Sequence, residues 1–89
     1  MQYPIAIETG GEKHAYGVVV PDLPGCFSAG DTLDEALTNA RETILLHLGG
    51  LLDESLPFPK PSTIDQLRNK RSYRGWTWAI VDVSLETKR

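Results

Sequence analysis

Alternation of apolar and polar residues opens the chain and predicts extended structure. In residues 2–8, QYPIAIE, every second side chain from Tyr3 onward is apolar, the pattern of a strand with one buried face. Residues 15–20, AYGVVV, predict a returning strand after a Gly-Gly turn, and residues 26–29, CFSA, predict a short third strand. The connection before the third strand, PDLPG, is a compact turn in which two prolines fix φ. Together these segments predict a three-stranded antiparallel meander.

A helical period replaces the alternation after the third strand. Thr32 and Glu35 have the spacing of a capping box, in which the hydroxyl accepts a first-turn amide and the carboxylate reaches back. Asp34 and Glu35 also suit the positive end of the helix dipole. Gly49 and Gly50 weaken the last turn. Apolar side chains recur at spacings of three and four and predict one long amphipathic helix: Leu33, Leu37, Ala40, Ile44, Leu48 and Leu51.

The rest of the chain predicts a crossover, a short helix and a final strand. Three prolines at alternate positions favour an extended conformation in residues 56–62. Ser62 or Thr63 can cap a short helix over residues 64–70. Residues 75–86, GWTWAIVDVSLE, are the best strand candidate, because aromatic and β-branched residues dominate there. The predicted class is therefore α+β, with the element order β-β-β-α-α-β.

Both faces of the final strand are apolar. Alternation places two apolar sets on opposite faces, Trp76, Trp78 and Ile80 on one and Ala79, Val81, Val83 and Leu85 on the other. Such a strand must be covered on both faces, and the two predicted helices cover only one. The other face is left to a second molecule or to chain outside this sequence, and we expect a homodimer or a larger homo-oligomer. The expected interface residues are Trp76, Trp78, Ile80, Val81 and Val83.

Length, composition and charge narrow the class of protein. With 89 residues, 40% hydrophobic and 24% charged, the chain predicts a single globular domain over residues 1–89. Residues 1–55 hold nine acidic and two basic side chains, whereas residues 56–89 hold seven basic and three acidic ones. This asymmetry favours an acidic surface facing a basic partner, with a solvated acidic helix face as the alternative. Neither a signal peptide nor an apolar stretch of membrane-spanning length occurs in the sequence, so we expect a cytoplasmic location and no membrane contact.

Residue types that support catalysis or metal binding are scarce. Cys26 is the single cysteine, and because neither histidine is placed beside it, we interpret it as an apolar turn residue. No metal-ligand spacing and no phosphate-binding glycine motif occurs, so we expect no metal and no cofactor. A nuclease would need converging carboxylates, and Glu8, Glu42 and Asp82 are the only candidates on suitable elements. We expect that the protein is not an enzyme.

A group of basic residues near the C-terminal strand resembles a nucleic-acid patch, because aromatic residues are interleaved with it. The tryptophans alternate along a strand, however, and are better interpreted as core or interface residues. The basic residues are Arg68, Lys70, Arg71 and Arg74, and the aromatic residues are Tyr73, Trp76 and Trp78.

With these elements placed, the chain resembles the HicB family of bacterial antitoxins. The resembling segments are YPIAIE at 3–8, AYGVVVPDLPGCFSAGDTLDEALTNARETI at 15–44, and GWTWAIVDVSLE at 75–86. The resemblance implies a partial ribonuclease-H-like fold. It also implies a C-terminal DNA-binding segment after the final strand, whereas this sequence ends at SLETKR. We therefore expect operator DNA to be bound only through a segment outside these 89 residues.

The resemblance implies a function as well. HicB-like proteins bind and neutralise HicA-like toxins, which are small basic ribonucleases that cleave mRNA, by masking the toxin's active site. From charge we infer that the carboxylates near the PDLPGCFSAGDT segment face the toxin's cationic groove, and that nearby apolar side chains supply most of the affinity. The expected toxin-binding residues are Asp22, Leu23, Phe27, Asp31, Asp34, Glu35 and Glu42. Two other functions compete with this one: a small-ligand or adaptor domain of the same fold, and a ribonuclease-H-like nuclease.

Overall fold

The computed structural model describes residues 1–9 and 15–84, and it contains one four-stranded antiparallel sheet with a long helix packed on one face. The strands are β1 (Gln2–Thr9), β2 (Tyr16–Val19), β3 (Phe27–Gly30) and β4 (Thr77–Asp82), in the spatial order β3-β2-β1-β4. The helices are α1 (Leu33–Asp53) and α2 (Ile64–Leu67), followed by a 3₁₀ turn at Arg71–Tyr73. The predicted α+β class and element order are confirmed. The predicted Gly-Gly turn and Leu85 lie outside the described residues.

Helix α1 covers the sheet face formed by the odd-numbered residues of β1. Tyr3, Ile5 and Ile7 are buried there, and Ile44 and Leu48 of α1 pack in the same core. This burial of apolar side chains from water is the main source of stability in a domain of this size.

The buried stripe of α1 differs from the predicted one at its start. The fully buried positions are Ala36, Ala40, Ile44 and Leu48, whereas Leu33 is 43% exposed and Leu37 and Leu51 pack at the margin of the core. The physical reason is close approach, because small residues face the sheet where α1 begins. A Cβ at Gly30 would lie 2.8 Å from the Cα of Ala36, so glycine is required at the end of β3.

Both predicted helix caps are present, with one shift in register. The Thr32 hydroxyl accepts a hydrogen bond from the amide of Glu35 at 3.1 Å, as predicted. The Glu35 carboxylate reaches back to the amide of Asp31 at 2.7 Å, one residue earlier than a capping box requires. In α2 the cap is Thr63, which forms a complete capping box with Gln66.

Strand β4 lies beside β1 at one edge of the sheet. Val81 pairs with Tyr3 and Ala79 pairs with Ile5, so the odd-numbered residues of β4 face α1. Val81 is 8% and Val83 1% exposed in that core, which corrects the prediction that these two residues form an oligomer interface. They are already buried within the chain.

The sheet face away from α1 is partly covered by the chain itself. Trp78 pairs with Ala6 on that face, and the Tyr73 ring meets the Trp76 and Trp78 rings edge-on with centroid distances of 5.5 and 5.4 Å. Ala6 and Leu67 are buried although neither belongs to the core beneath α1. The segment that precedes β4 therefore shields part of the face that the sequence assigned to a second copy.

Helix α1 ends in a Schellman motif. The amide of Leu56 donates to the carbonyl of Leu51 at 2.8 Å, and the amide of Ser55 donates to the carbonyl of Leu52 at 3.0 Å. Ser55 has φ of 59°, and it is the one residue other than glycine with a positive φ among residues 1–9 and 15–84. A serine in this conformation is strained, because its Cβ crowds the backbone.

We expect Ser55→Gly to raise the free energy of unfolding by about 1 kcal/mol, since glycine adopts a positive φ without that strain. Urea unfolding followed by circular dichroism measures the change. Ser84→Gly is the matched control, because Ser84 is exposed and does not have a positive φ, and it should change stability by less than about 0.5 kcal/mol. Equal effects of the two substitutions would contradict the assignment of strain to Ser55.

Candidate partner-binding surface

The connection between β2 and β3 consists of two successive turns, each with proline at its second position. The amide of Leu23 donates to the carbonyl of Val20 at 3.0 Å, which closes the first turn around Pro21. The amide of Cys26 donates to the carbonyl of Leu23 at 3.0 Å, and Gly25 between them has φ of 81°. A proline followed by a glycine of positive φ is the arrangement of a type II turn. The sequence of this connection is therefore explained by backbone geometry.

The Asp22 side chain forms hydrogen bonds within the chain. Its carboxylate accepts one hydrogen bond from the amide of Ser62 at 2.8 Å and another from the Ser62 hydroxyl at 2.7 Å. These bonds tie the β2–β3 connection to the extended segment that follows α1. Asp22 therefore acts as a structural clamp in the chain, and its use by a partner would break two charge-assisted hydrogen bonds.

Tyr3 anchors the same extended segment from the other side. Its hydroxyl donates to the carbonyl of Pro59 at 2.6 Å. Burial raises the pKa of Tyr3, and the nearby negative charge of Asp22 raises it further, so the phenol stays protonated and keeps its donor role. With Phe58 packed at the margin of the core, residues 56–62 form an anchored crossover.

The other predicted carboxylates are exposed and lie on one side of the molecule. Asp31 and Asp34 flank the start of α1, and Glu35 and Glu42 follow at a spacing of seven residues, which places them on one helix face. None of the four forms an ion pair with the residues that the structure describes. The Glu35 carboxylate is partly used by its bond to the Asp31 amide. We call these four residues the acidic face; Arg41, which is exposed seven residues after Asp34, lies at its edge without forming an ion pair with it.

The two predicted apolar contact residues have opposite environments. Leu23 is completely buried, so it does not form contact surface, and that part of the prediction is corrected. Phe27 is 63% exposed on the sheet face away from α1. The strand registers place Phe27, Val19, Ala6 and Trp78 in one row across this face. Ile80 on the same face is 47% exposed, so the open part of the face has an apolar side chain at each edge strand.

Sequence reasoning missed a second apolar surface, on the outer side of α1. Leu46 is 78% exposed and Leu52 50% exposed, although both lie in a helix with a well-filled core side. The sequence carried a signal for Leu46, which is out of phase with the buried residues of α1, but not for Leu52, which follows Leu48 at a spacing of four. Leu46 and Leu45 line a shallow depression together with Glu42.

The carboxylates proposed for a nuclease do not converge. Asp82 pairs with Gln2 at one end of β1, whereas Glu8 pairs with Gly17 near the other end. Six residues of extended chain separate them by about 20 Å, and Glu42 is exposed on α1, which covers the opposite sheet face. Burial also raises the pKa of Cys26 and so disfavours its nucleophilic thiolate form. Among residues 1–9 and 15–84 there is no group of His, Cys, Asp and Glu side chains suited to a metal ion.

The described residues thus combine an exposed acidic face with open apolar surface, and their candidate nuclease carboxylates lie apart. A protein-family model described as HicB-like antitoxin of bacterial toxin-antitoxin system matches residues 3–89. The chain belongs to this family. The family resemblance seen in the sequence is thereby confirmed.

One curated relative of this HicB-like chain, Antitoxin HicB 2 of Photorhabdus laumondii, is 30% identical over 63 residues, which cover 71% of this chain and 44% of that protein. An uncharacterised 14.9 kDa protein of Haemophilus phage HP1, encoded in its rep-hol intergenic region, is 47% identical over 85 residues. That alignment covers 96% of this chain and 62% of the phage protein, so the chain spans less than two thirds of the relative's length.

Solved structures show the same fold. The N-terminal domain of the Burkholderia pseudomallei antitoxin HicB superposes with a TM-score of 0.85 and 40% identity, covering 96% of this chain and all of that one. A chain of the HicA3 and HicB3 toxin-antitoxin complex superposes with a TM-score of 0.76 and 28% identity, again covering 96% and 100%. In the described residues of the present chain, no helix is long and apolar enough to cross a membrane.

We expect Asp22→Ala to lower the free energy of unfolding by about 2 kcal/mol, because it removes two hydrogen bonds to a charged group. Ser62→Ala should act on the same contact, so the double variant should lose less than the sum of the single losses. Thermal and urea unfolding of the four proteins completes the cycle. Glu42→Ala is the control, because Glu42 is exposed in the middle of α1 and forms no hydrogen bond or ion pair with the described residues, and it should change stability by less than about 0.5 kcal/mol. Additive losses would contradict the clamp.

Proposed function

We propose that this HicB-like domain is the toxin-binding part of an antitoxin, which neutralises a cognate HicA-like, mRNA-cleaving ribonuclease by covering its active site. The observation that carries the proposal is the acidic face formed by Asp31, Asp34, Glu35 and Glu42. Family membership supplies the class of partner, since a structural relative is part of a HicA3 and HicB3 toxin-antitoxin complex. We assign toxin binding, and not operator binding, to this domain.

The charge of the acidic face suits a ribonuclease as partner. A protein that cleaves RNA needs cationic surface where phosphates bind, and exposed carboxylates attract such a surface over a Debye length of roughly 8–10 Å. Carboxylates placed there also compete directly with phosphates for the same cations. Inhibition would therefore follow from occupancy alone, and no chemistry by the antitoxin is needed.

Apolar contacts are expected to supply the affinity that exposed charges do not. Exposed ion pairs contribute only about 0.2–1 kcal/mol each. Buried apolar anchors carry more of the binding energy in most interfaces. Phe27 is a candidate anchor because its ring is 63% exposed on β3, the edge strand that leads into Asp31 and α1.

A homodimer through the open sheet face also forms part of the proposal. Ile80 is 47% exposed on edge strand β4, and Trp76 and Trp78 beside it are half-buried. We expect Ile80→Asp to convert a dimer to a monomer in sedimentation equilibrium. Leu33→Asp is the control, because Leu33 is similarly exposed but belongs to α1. A wild-type monomer at all concentrations would contradict this part.

The acidic face predicts a salt-dependent association with the toxin. We expect the double variant Asp31→Lys, Asp34→Lys to bind the basic ribonuclease encoded beside its gene roughly tenfold more weakly at low salt, mainly through slower association. The affinity of the variant should depend less on salt than that of the wild type. Surface plasmon resonance at two salt concentrations, with a catalytically inactive toxin, measures both effects.

A matched control carries the same change in charge elsewhere. Asp65, Asn69 and Ser72 are exposed between α1 and β4, so Asp65→Lys, Asn69→Lys, Ser72→Lys, which changes the net charge by the same amount, should bind nearly as tightly as the wild type. If this control and the acidic-face variant lose affinity equally, net charge and not the acidic face governs association. If neither loses affinity at any salt concentration, the acidic face is not the toxin-binding surface.

A further inference from the structure

Helix α1 contains two glycines that its own packing does not require. Gly49 and Gly50 lie within the helix, and neither has a positive φ. A Cβ built at either position would meet no atom within 4 Å. Glycine is the least favourable residue after proline in a helix interior, so alanine would stabilise the isolated chain at both positions. Gly30 differs, because its neighbour Ala36 leaves no room for a side chain.

Neither glycine terminates the helix. The position of α1's C-terminal motif that favours glycine is Ser55, five residues beyond Gly50. The chain thus has serine where glycine would relieve strain and glycine where any small helix former would fit. Contacts within the described structure account for neither Gly49 nor Gly50.

The side chains around Gly49 form part of the outer surface of α1. Helix geometry places Leu45, Leu46, Leu52 and Asp53 around it, three or four residues away on either side. Leu46 is 78% and Leu52 50% exposed, while Leu45 packs against the core from the margin. Gly49 therefore leaves bare helix backbone on the outer face of α1, with Leu46 on one side and Leu45 and Leu52 on the other. Gly50 extends the bare backbone on the far side of Leu46. We call this surface the Gly49–Gly50 trough.

The charges around this trough are acidic. Glu42 lies one turn before it, and Asp53 and Glu54 lie at its end, where the helix dipole is also negative. The last turn of α1 has no basic residue. Arg41, the single arginine or lysine of the helix, lines a different surface beside Ala79 and Ile80 of β4. A cation-bearing partner is therefore favoured at this end of α1.

We propose that the Gly49–Gly50 trough receives an amphipathic helix of a cationic protein, with apolar side chains in the trough and basic side chains on its acidic rim. Glycines in the floor let two helix backbones approach closely, and helix-in-groove docking uses such a surface. A second copy is the less favourable occupant, because its Glu42, Asp53 and Glu54 would meet their own counterparts. The identity of the partner as the toxin rests on the proposed function, and the trough extends the acidic face along the same helix.

Two kinds of variant test the trough without unfolding the chain. Gly49→Leu, Gly50→Leu fills the floor, and because both positions are open, the isolated variant should melt no lower than the wild type. Leu46→Gln removes a wall residue that is mostly exposed in the isolated chain. Gly49→Ala, Gly50→Ala should raise the melting temperature by roughly 5–10 °C, which verifies that the glycines cost stability.

Binding to the inactive toxin is then measured by titration calorimetry. We expect the double leucine variant and Leu46→Gln each to weaken binding by about thirtyfold or more. Ser72→Leu is the control, because it adds an exposed leucine on the turn before β4, and it should bind as the wild type does.

Each outcome gives a distinct answer. Loss of binding in both trough variants, with melting temperatures preserved, supports the proposal. Wild-type affinity in both variants overturns it and leaves the antitoxin function standing. A change in oligomeric state with unchanged toxin affinity also overturns it and assigns the trough to a second copy. Failure of the wild type to bind any toxin encoded beside it overturns the proposed function and this inference together.

Discussion

One helix burying one face of a four-stranded sheet is the constraint on which this domain depends. Ile44 and Leu48 of α1 complete the core over Tyr3, Ile5 and Val81, and no second helix of comparable length exists among the described elements. A single helix cannot cover both faces of a sheet, and its own outer side stays in solvent. The packing that builds the core therefore leaves two surfaces uncovered, the far sheet face and the outer side of α1, and these are the two candidate interaction surfaces.

The second requirement is to return the chain from the end of α1 to the free edge of β1. The extended segment 56–62 makes this crossing, and it is held by the Tyr3 hydroxyl at Pro59 and by Asp22 at Ser62. These contacts are polar and partly buried, so they resist replacement by water more than exposed ones do. The β2–β3 connection, which borders the proposed binding surface, thereby also fixes the path that brings β4 into the sheet.

The sequence predicted the elements better than it predicted what each residue does in them. Alternation, capping spacing and paired prolines act locally, so the strands, α1 and the turn at Gly25 were accessible from sequence. The prediction that Leu23 contacts a partner was wrong, because its burial depends on how the β2–β3 connection packs against the core, and this is not visible in the local sequence. Asp22 was assigned to a partner on charge alone, yet its contact, Ser62, lies 40 residues away. Register, which placed Val81 beneath α1, is likewise a long-range property.

Residues that lower the stability of the isolated chain are distributed unequally between the two sides of α1. On the sheet side, alanine and glycine are required by close packing, and a larger residue at Gly30 would collide with Ala36. On the solvent side, Gly49, Gly50 and the strained Ser55 all lower stability, and Leu46 exposes apolar surface to water. If this surface only faced solvent, nothing in the packing would explain why four destabilising features occur within ten residues of the chain. A partner that packs on the outer face would offset them, because it would bury Leu46 and stabilise the folded state, the only state that it binds.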